Sequence, residues 1–444
     1  MIRQRSSARG AGAVLVTLST FGSAIAHWFV VLIMARVAGA EQVGLYSSLL
    51  AVATPVYVGG SLALRDVYLT ITRNVAWRHY VVLRVLGMLA STAVMLLAAL
   101  LLDWWMSLVL ALVAMKVTAG AVDLAQARIL GANRLLALGS LGLGTSIGTV
   151  VLLAVVALEV PDVSWLVASV ALVSAAFLVP YGIAAARAPA LESSGETLRG
   201  SGGETPHDGA RPCTAPYVVL LEACLPAMLA QLLSTLLLNA PIIIVSVLST
   251  PSDVGRYSVA AYVVTFGHLF GSAMMTVHLP ALRRLRTSFG TVRMLAEAKR
   301  VSAVILALGL GATLLVVAFG DAVIGFLFGR EFAIGRPVWL VLGLCATVAA
   351  VGYIANAASL SLNQYAAQPW IMALAILASA AIAILLAATP IHSVVIASIA
   401  ALCGTSVRTF GLWHLAGRSP SLSPQRPARL RPEESHSDRT PPYL

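Results

Sequence analysis

Val43-Gly44-Leu45-Tyr46-Ser47 recurs, 211 residues on, as Val254-Gly255-Arg256-Tyr257-Ser258. Each copy follows an acidic residue, Glu41 and Asp253, and each lies between the first and second apolar run of a set of six. Two copies at equivalent places in two halves imply an internal duplication. The halves are separated by an even number of apolar runs, so both copies end on the same side of whatever the runs cross. The implied arrangement is two parallel repeats about an axis along the membrane normal, with a cavity between them.

The runs themselves require lipid. Of 444 residues, 59% are hydrophobic and only 11% charged, against about 25% charged in an ordinary soluble domain. A helix needs about 20 apolar residues to cross the hydrocarbon core. Only helices or closed barrels satisfy their backbone there, and the runs lack the alternation of barrel strands. Twelve spans are read, at 14–35, 43–64, 80–102, 104–125, 137–158, 163–186, 217–247, 257–280, 301–320, 337–360, 369–388 and 393–416. The expected fold is an all-α polytopic membrane protein, with about 12 transmembrane helices in two pseudo-symmetric six-helix lobes around a central cavity.

The first run follows Arg3, Arg5 and Arg9 and passes the small residues Ala24-Ile25-Ala26, the outline of a secretory signal. It continues through His27 to Met34, too long for a signal core, and reads as an uncleaved first span. The expected divisions are an N-terminal lobe at 1–187, a flexible linker at 188–216, a C-terminal lobe at 217–417 and a basic, disordered tail at 418–444. The linker and tail rest on Gly, Ser, Pro and charged composition without apolar periodicity.

The net charge is +11, from 29 Lys plus Arg and 18 Asp plus Glu. The basic residues gather in alternate polar segments, and Glu41, Asp103, Glu159, Asp162, Asp253, Asp321 and Glu331 in the others. By the positive-inside rule both termini are expected in the cytoplasm, with the chain multi-pass in the cell membrane. Aromatic residues do not interleave with the basic ones as single-strand binding needs, so no nucleic-acid partner is expected. Cys213, Cys224, Cys345 and Cys403 lack metal-ligand spacing, and neither metal nor cofactor is expected. Paired carboxylates in a large outer loop and a G-x-x-x-x-G-K-[ST] phosphate loop are both missing from the sequence, so the chain is not expected to be an enzyme.

Ionisable residues inside spans face a bundle interior or a wet cavity and mark a substrate path by default. Lys116 lies near the middle of its span and reads as a cavity cation. Asp123, seven residues on, shares its face and could pair with it through an intervening group. Arg84 is close enough to the inner end to snorkel, whereas Arg408 reads as a second cavity cation. Glu222 sits a turn or two into its span, where a simply solvated side chain is the other reading. His27 and His268 read as packed, hydrogen-bonded histidines or proton carriers, and His278 is a further candidate. Asn239 and Pro241 interrupt the seventh span, because proline removes a donor, and a break there could bend a gate or expose carbonyls. Together His27, Asp123, Glu222, Asn239, Pro241 and His268 are candidates for coupling or gating. Gly144-x-x-x-Gly148 and Gly267-x-x-x-Gly271 have the spacing of close helix packing. Deep cations outnumber deep anions, which suits an anionic cargo such as a phosphate-bearing lipid.

The sequence resembles the polysaccharide-export flippases of the multidrug/oligosaccharidyl-lipid/polysaccharide exporter superfamily. Met34-Ala35-Arg36-Val37-Ala38-Gly39-Ala40-Glu41-Gln42-Val43-Gly44-Leu45-Tyr46 is similar to that family's join between its first two helices. Pro226, the Val254-Gly255-Arg256-Tyr257 turn, Leu279-Pro280-Ala281-Leu282 and Phe328-Gly329-Arg330-Glu331-Phe332 follow in the family's order. The chain departs from it at 361–368, which lacks a basic residue, and at Thr389-Pro390-Ile391-His392, which lacks a glycine after the proline. The resemblance implies two lobes rocking about a central cavity to move a polyprenyl-diphosphate-linked glycan outward. It makes Arg36, Arg65, Arg84, Lys116 and Arg408 candidates for substrate contacts. Arg36 and Arg65 fall in family-like stretches; the other three rest on membrane depth. Expected partners are the lipid-linked glycan, membrane lipids, and a polysaccharide polymerase or glycosyltransferases. A cation-coupled drug exporter, a lipid II flippase and a non-transporting scaffold of a glycan-assembly complex remain as other readings.

Overall fold

The computed structural model describes residues 2–70, 75–160, 162–188, 216–362, 364 and 367–418. The expected linker core, 189–215, and the tail beyond 418 lie outside them. Among the described residues, eleven helical segments are long and apolar enough to cross a membrane. The first, within α1 (Ile2–Ser61), is two helices merged across Gly39, whose φ of 76° and ψ of −178° no helix accepts. The two expected spans therefore meet at one glycine rather than across a loop, and the twelve expected spans map onto the chain.

The remaining helices are α2 (Leu64–Thr70), α3 (Trp77–Leu101), α4 (Met106–Gly131), α5 (Leu135–Glu159), α6 (Val163–Ala186), α7 (Pro216–Leu248), α8 (Pro251–Ala260), α9 (Tyr262–Phe289), α10 (Thr291–Leu327), α11 (Arg336–Ser361), α12 (Gln368–Ala387) and α13 (Ser393–Gly417). Several exceed the expected spans: α9 continues to Phe289 and α10 begins at Thr291, with Gly290 at φ 85° between them. Basic residues such as Arg283, Arg284 and Arg286 end the apolar pattern without ending the helix, because they are good helix formers. The short α2 was not expected, and is set off from α1 by Leu62 and Ala63 at φ 54° and 50°.

The expected break at Asn239 and Pro241 does not occur. Helix α7 runs through both Pro226 and Pro241, and the Asn239 side chain donates to the Thr235 carbonyl at 2.8 Å. A proline inside a helix removes one donor, and local adjustment can absorb that loss.

In the first half α1 packs on α5, and α4 on α6; in the second, α9, α10 and α13 all pack on a central α11. The small-residue pairs work as spacing predicts. A Cβ on Gly267 would stand 2.6 Å from the Ala346 carbonyl oxygen, and one on Gly144 2.9 Å from the Phe177 ring. At the start of α11, one carboxylate oxygen of Asp321 accepts from the backbone N–H groups of Ile334 and Gly335, at 3.1 and 3.2 Å, and from the indole of buried Trp339 at 2.8 Å. Asp321→Ala leaves those donors unmatched and is expected to destabilise the protein by about 2 kcal/mol. Asp321→Asn, which keeps an acceptor, should restore most of the lost melting temperature in detergent.

The two motif copies lie against each other. A Cβ on Gly44 would overlap the Pro251 carbonyl oxygen, and one on Gly255 that of Ala40. Three residues on, Ser47 Oγ donates to Ser258 Oγ at 2.9 Å, and Tyr46 and Tyr257 are buried on either side. The recurring pentapeptide is thus the contact of the duplication with its own copy, at the end expected to face outward.

Below this crossing the halves join asymmetrically. The second part of α1 runs along α7, with Ser48 and Ser246 hydroxyls 2.8 Å apart. Leu220 and Cys224 of α7 enter a core with Leu64, Tyr68, Tyr80 and Leu83. Among the described residues, no extended interface joins α1 to α9 on the other side.

Candidate functional site

The first half carries a cavity of about 430 Å³ between α1, α4, α5 and α6. Its lining includes Ser23, His27, Asp123, Gln126, Thr149 and Tyr181, so an apolar bundle holds a polar interior. The break at Leu62 and Ala63 brings Arg65 to its edge. Asp123 on α4 accepts from Arg65 Nη1 at 2.9 Å and from Arg84 Nη2 at 2.8 Å, one carboxylate oxygen to each guanidinium. Arg84 is 4% exposed, so it does not snorkel, and its Nε finds no hydrogen-bond partner among the described residues. The Arg65 side chain is 40% exposed. Two cations on one anion leave this cluster with a local excess of one positive charge.

Lys116 does not join the cluster, although it shares α4 with Asp123. It is half-buried and donates from Nζ to Thr54 Oγ1 of α1 at 3.0 Å. Among the described residues it makes no ion pair. Arg408 repeats this condition in the second half. It is 6% exposed, its guanidinium lies 5.3 Å over the Tyr353 ring, and its Nε has no hydrogen-bond partner among the described residues. His268 meets the same ring edge-on at 5.8 Å, and no described carboxylate pairs with Arg408. An unpaired charge at such depth is costly, and neither Lys116 nor Arg408 is among the residues lining the described cavities.

Between the halves, directly under the motif crossing, lies a chamber of about 190 Å³ lined by Tyr46, Ser47, Asn239, Pro241, Ser258 and Thr265 among others. Its polar groups are uncharged. Nearer the basic end, Gln231 of α7 donates to Asp66 Oδ2 of α2 at 2.6 Å, a bridge across the packed seam.

The end expected to face outward carries a second contact. Arg36 donates from Nε to the Leu327 carbonyl at 2.5 Å and from Nη2 to that of Phe326, capping the last turn of α10. Phe328 and Phe332 are buried in the first half's core, with Trp28 edge-to-face on Phe328 at 5.8 Å. The A-R-x-x-G stretch at 35–39 and the F-G-x-E-F stretch at 328–332 therefore meet. Arg36 stands at this latch, away from Lys116 and Arg408.

Of the other candidates, His27 and His278 donate to carbonyls on their own helices, Ser23 and Met274, at 2.8 and 2.9 Å. Glu222 is exposed and makes no described ion pair. Sequence reading missed Tyr353, Thr54, Asp66 and Gln231. Tyr353 carried a signal, because a tyrosine inside an apolar span needs a partner for its polar end.

No protein-family model matches this sequence. Over 128 residues it is 23% identical to the capsular polysaccharide biosynthesis protein CapF of Staphylococcus aureus, a match covering 29% of this chain and 32% of that protein. The chain thus spans about a third of the length of the curated relative it matches. In three dimensions it is similar to the lipid II flippase MurJ in an inward closed conformation, at 12% identity over 90% of this chain and 87% of that one, with a TM-score of 0.64. It is also similar to a MATE transporter in the bent conformation, at 11% identity, 92% and 95% coverage and a TM-score of 0.57. A MOP superfamily transporter from Pyrococcus furiosus aligns at 12% identity, 93% of each chain and a TM-score of 0.53. At these identities the likeness is one of fold alone: the chain is folded like these transporters.

Proposed function

We propose that the protein is a flippase that moves a polyprenyl-diphosphate-linked oligosaccharide across the cytoplasmic membrane for surface polysaccharide assembly. The observation that carries this reading is the pair of deep cations without counter-ions, Lys116 and Arg408, one in each half of a transporter fold. A diphosphate supplies the missing negative charge, and a cationic drug would meet repulsion at both. The seam geometry supports the same cargo. With α7 packed against the first half and no extended interface between α1 and α9 among the described residues, a lipid-linked substrate has one lateral side by which its head enters while its chain stays in the bilayer. In this reading Arg65 and Arg84 add positive charge near the entrance, Arg36 serves the outer closure, and both termini lie in the cytoplasm. Asn239 and Thr265 in the uncharged chamber offer hydrogen bonds to sugars.

Transport then follows from an exchange of closures. The crossing of Gly44 on Gly255 and the Arg36 latch close the outer end in the present state. Parting them while the basic ends approach would deliver the head outward, with no covalent step. The partial sequence match to CapF favours a capsule-type or related glycan over a drug.

The test is replacement of each cation. At unchanged membrane level, Lys116→Ala and Arg408→Ala are each expected to lower the appearance of surface glycan at least tenfold, read by whole-cell glycan staining. Full export in both variants overturns the assignment. A second reading, lipid II as cargo, is favoured by the likeness to MurJ. Rescue of cells depleted of their lipid II flippase would support it, whereas loss of surface glycan with normal peptidoglycan supports the first.

A further inference from the structure

A groove of about 820 Å³ opens on the outer surface of the second half, lined from α10, α12 and α13. Helices α10 and α13 both pack on α11, but among the described residues they form no extended interface with each other. The groove follows α13 from Cys403 to Gly417, a length of about 21 Å at 1.5 Å per residue. That carries it from the basic end past the middle of a hydrocarbon core of about 30 Å. Its walls include Leu374 and Phe410, 59% and 73% exposed. Apolar walls of this kind explain an alkyl chain and nothing more specific.

The basic end of the groove is what selects. Lys299 and His414 line it there, and among the described residues no carboxylate does. The nearest acidic residue along α10, Glu297, is engaged with Arg300 at 4.0 Å. Lys299 is exposed and makes no ion pair among the described residues. Basic pockets between transmembrane helices on the cytoplasmic side suit anionic head groups.

We infer that this groove is a binding site for one anionic phospholipid, its acyl chain along α13 from Gly417 toward Cys403 and its phosphate between Lys299 and His414. The site lies apart from the cations assigned to cargo, and it stands whether or not the cargo is a lipid-linked glycan. A zwitterionic lipid fits the walls equally but brings its own positive charge to Lys299. Each basic residue near an anionic surface contributes about 1 kcal/mol, so the preference for the anionic lipid should be about fivefold or more.

The full-length protein would be reconstituted in vesicles of equal parts phosphatidylglycerol and phosphatidylcholine, extracted in mild detergent, and its retained lipids counted by native mass spectrometry. Phosphatidylglycerol should be retained about fivefold or more over phosphatidylcholine. Lys299→Ala combined with His414→Ala should abolish that preference at unchanged melting temperature, and Lys299→Arg should preserve it. Val407→Trp, which fills the groove, should reduce retention of both lipids; if that variant fails to fold, the charge variants decide alone. Inorganic phosphate at millimolar concentration should not compete, because it has no chain. Equal retention of the two lipids, an undiminished preference in the double alanine variant, or full competition by phosphate would each overturn the assignment.

Discussion

Alanine at both Gly44 and Gly255 is expected to part the two halves at the motif crossing. A methyl group at either position overlaps a carbonyl oxygen of the facing helix, Pro251 or Ala40. Backbone cannot move aside as a flexible side chain does. Overpacking of this kind costs about 1–3 kcal/mol per site, or about 2–6 kcal/mol for the pair. Inverting a two-state equilibrium from 99:1 takes about 5.5 kcal/mol, so the double variant falls within reach of full opening. Ser47→Cys with Ser258→Cys supplies the readout. The two hydroxyls stand 2.9 Å apart, close enough for the cysteines to bridge with little backbone movement. In the otherwise native protein the pair should crosslink under mild oxidation and stop glycan export until reduced. With Gly44→Ala and Gly255→Ala added, crosslinking should fall at least tenfold. Unchanged crosslinking in a folded glycine variant would mean that the crossing is not the outer closure.

That closure was half legible in the sequence. The repeat at Val43 and Val254 announced a duplication, and the even count of spans put both copies on one side. That the copies touch was not readable, because spacing along a chain does not say which faces meet across a pseudo-two-fold axis. The same limit applies to the charges. Membrane depth picked out Lys116, Asp123, Arg84 and Arg408 as residues that need a reason. It could not pair them, and the seven-residue spacing of Lys116 and Asp123 suggested the wrong partnership. What decides the pairing is the left-handed turn at Leu62 and Ala63, which carries Arg65 to Asp123; nothing in two apolar residues advertises a positive φ. Arg36 shows the converse. Its stretch was recognised, yet its role depends on where α10 ends, a tertiary fact. The expected break at Pro241 failed for a simpler reason: one lost donor is a local deficit, and a long helix packed on its neighbours can absorb it.

Removing the Asp123 carboxylate is expected to be the most destabilising single change in the first half. Arg84 is 4% exposed, and Asp123 is its one ion-pair partner among the described residues. Taking away one member of a buried pair leaves the other charge without compensation, at a cost of about 3–5 kcal/mol. Arg65 is the opposite case. Its side chain is 40% exposed, so water replaces most of what Asp123 provides, and such a pair contributes about 0–1 kcal/mol. Asp123→Ala should therefore lower the melting temperature in detergent severely, and Arg65→Ala little. Combining Asp123→Ala with Arg84→Leu removes the stranded charge and should recover most of the loss, a strong non-additivity of the kind expected for residues in contact. Because the cation is what becomes intolerable, Arg84→Leu alone should be milder than Asp123→Ala, its carboxylate still held by Arg65. Equal losses for Asp123→Ala and Arg65→Ala, or a double variant no better than Asp123→Ala, would show that the cluster is solvated as a whole. Its positive excess would then be screened by water before any anionic head group arrived.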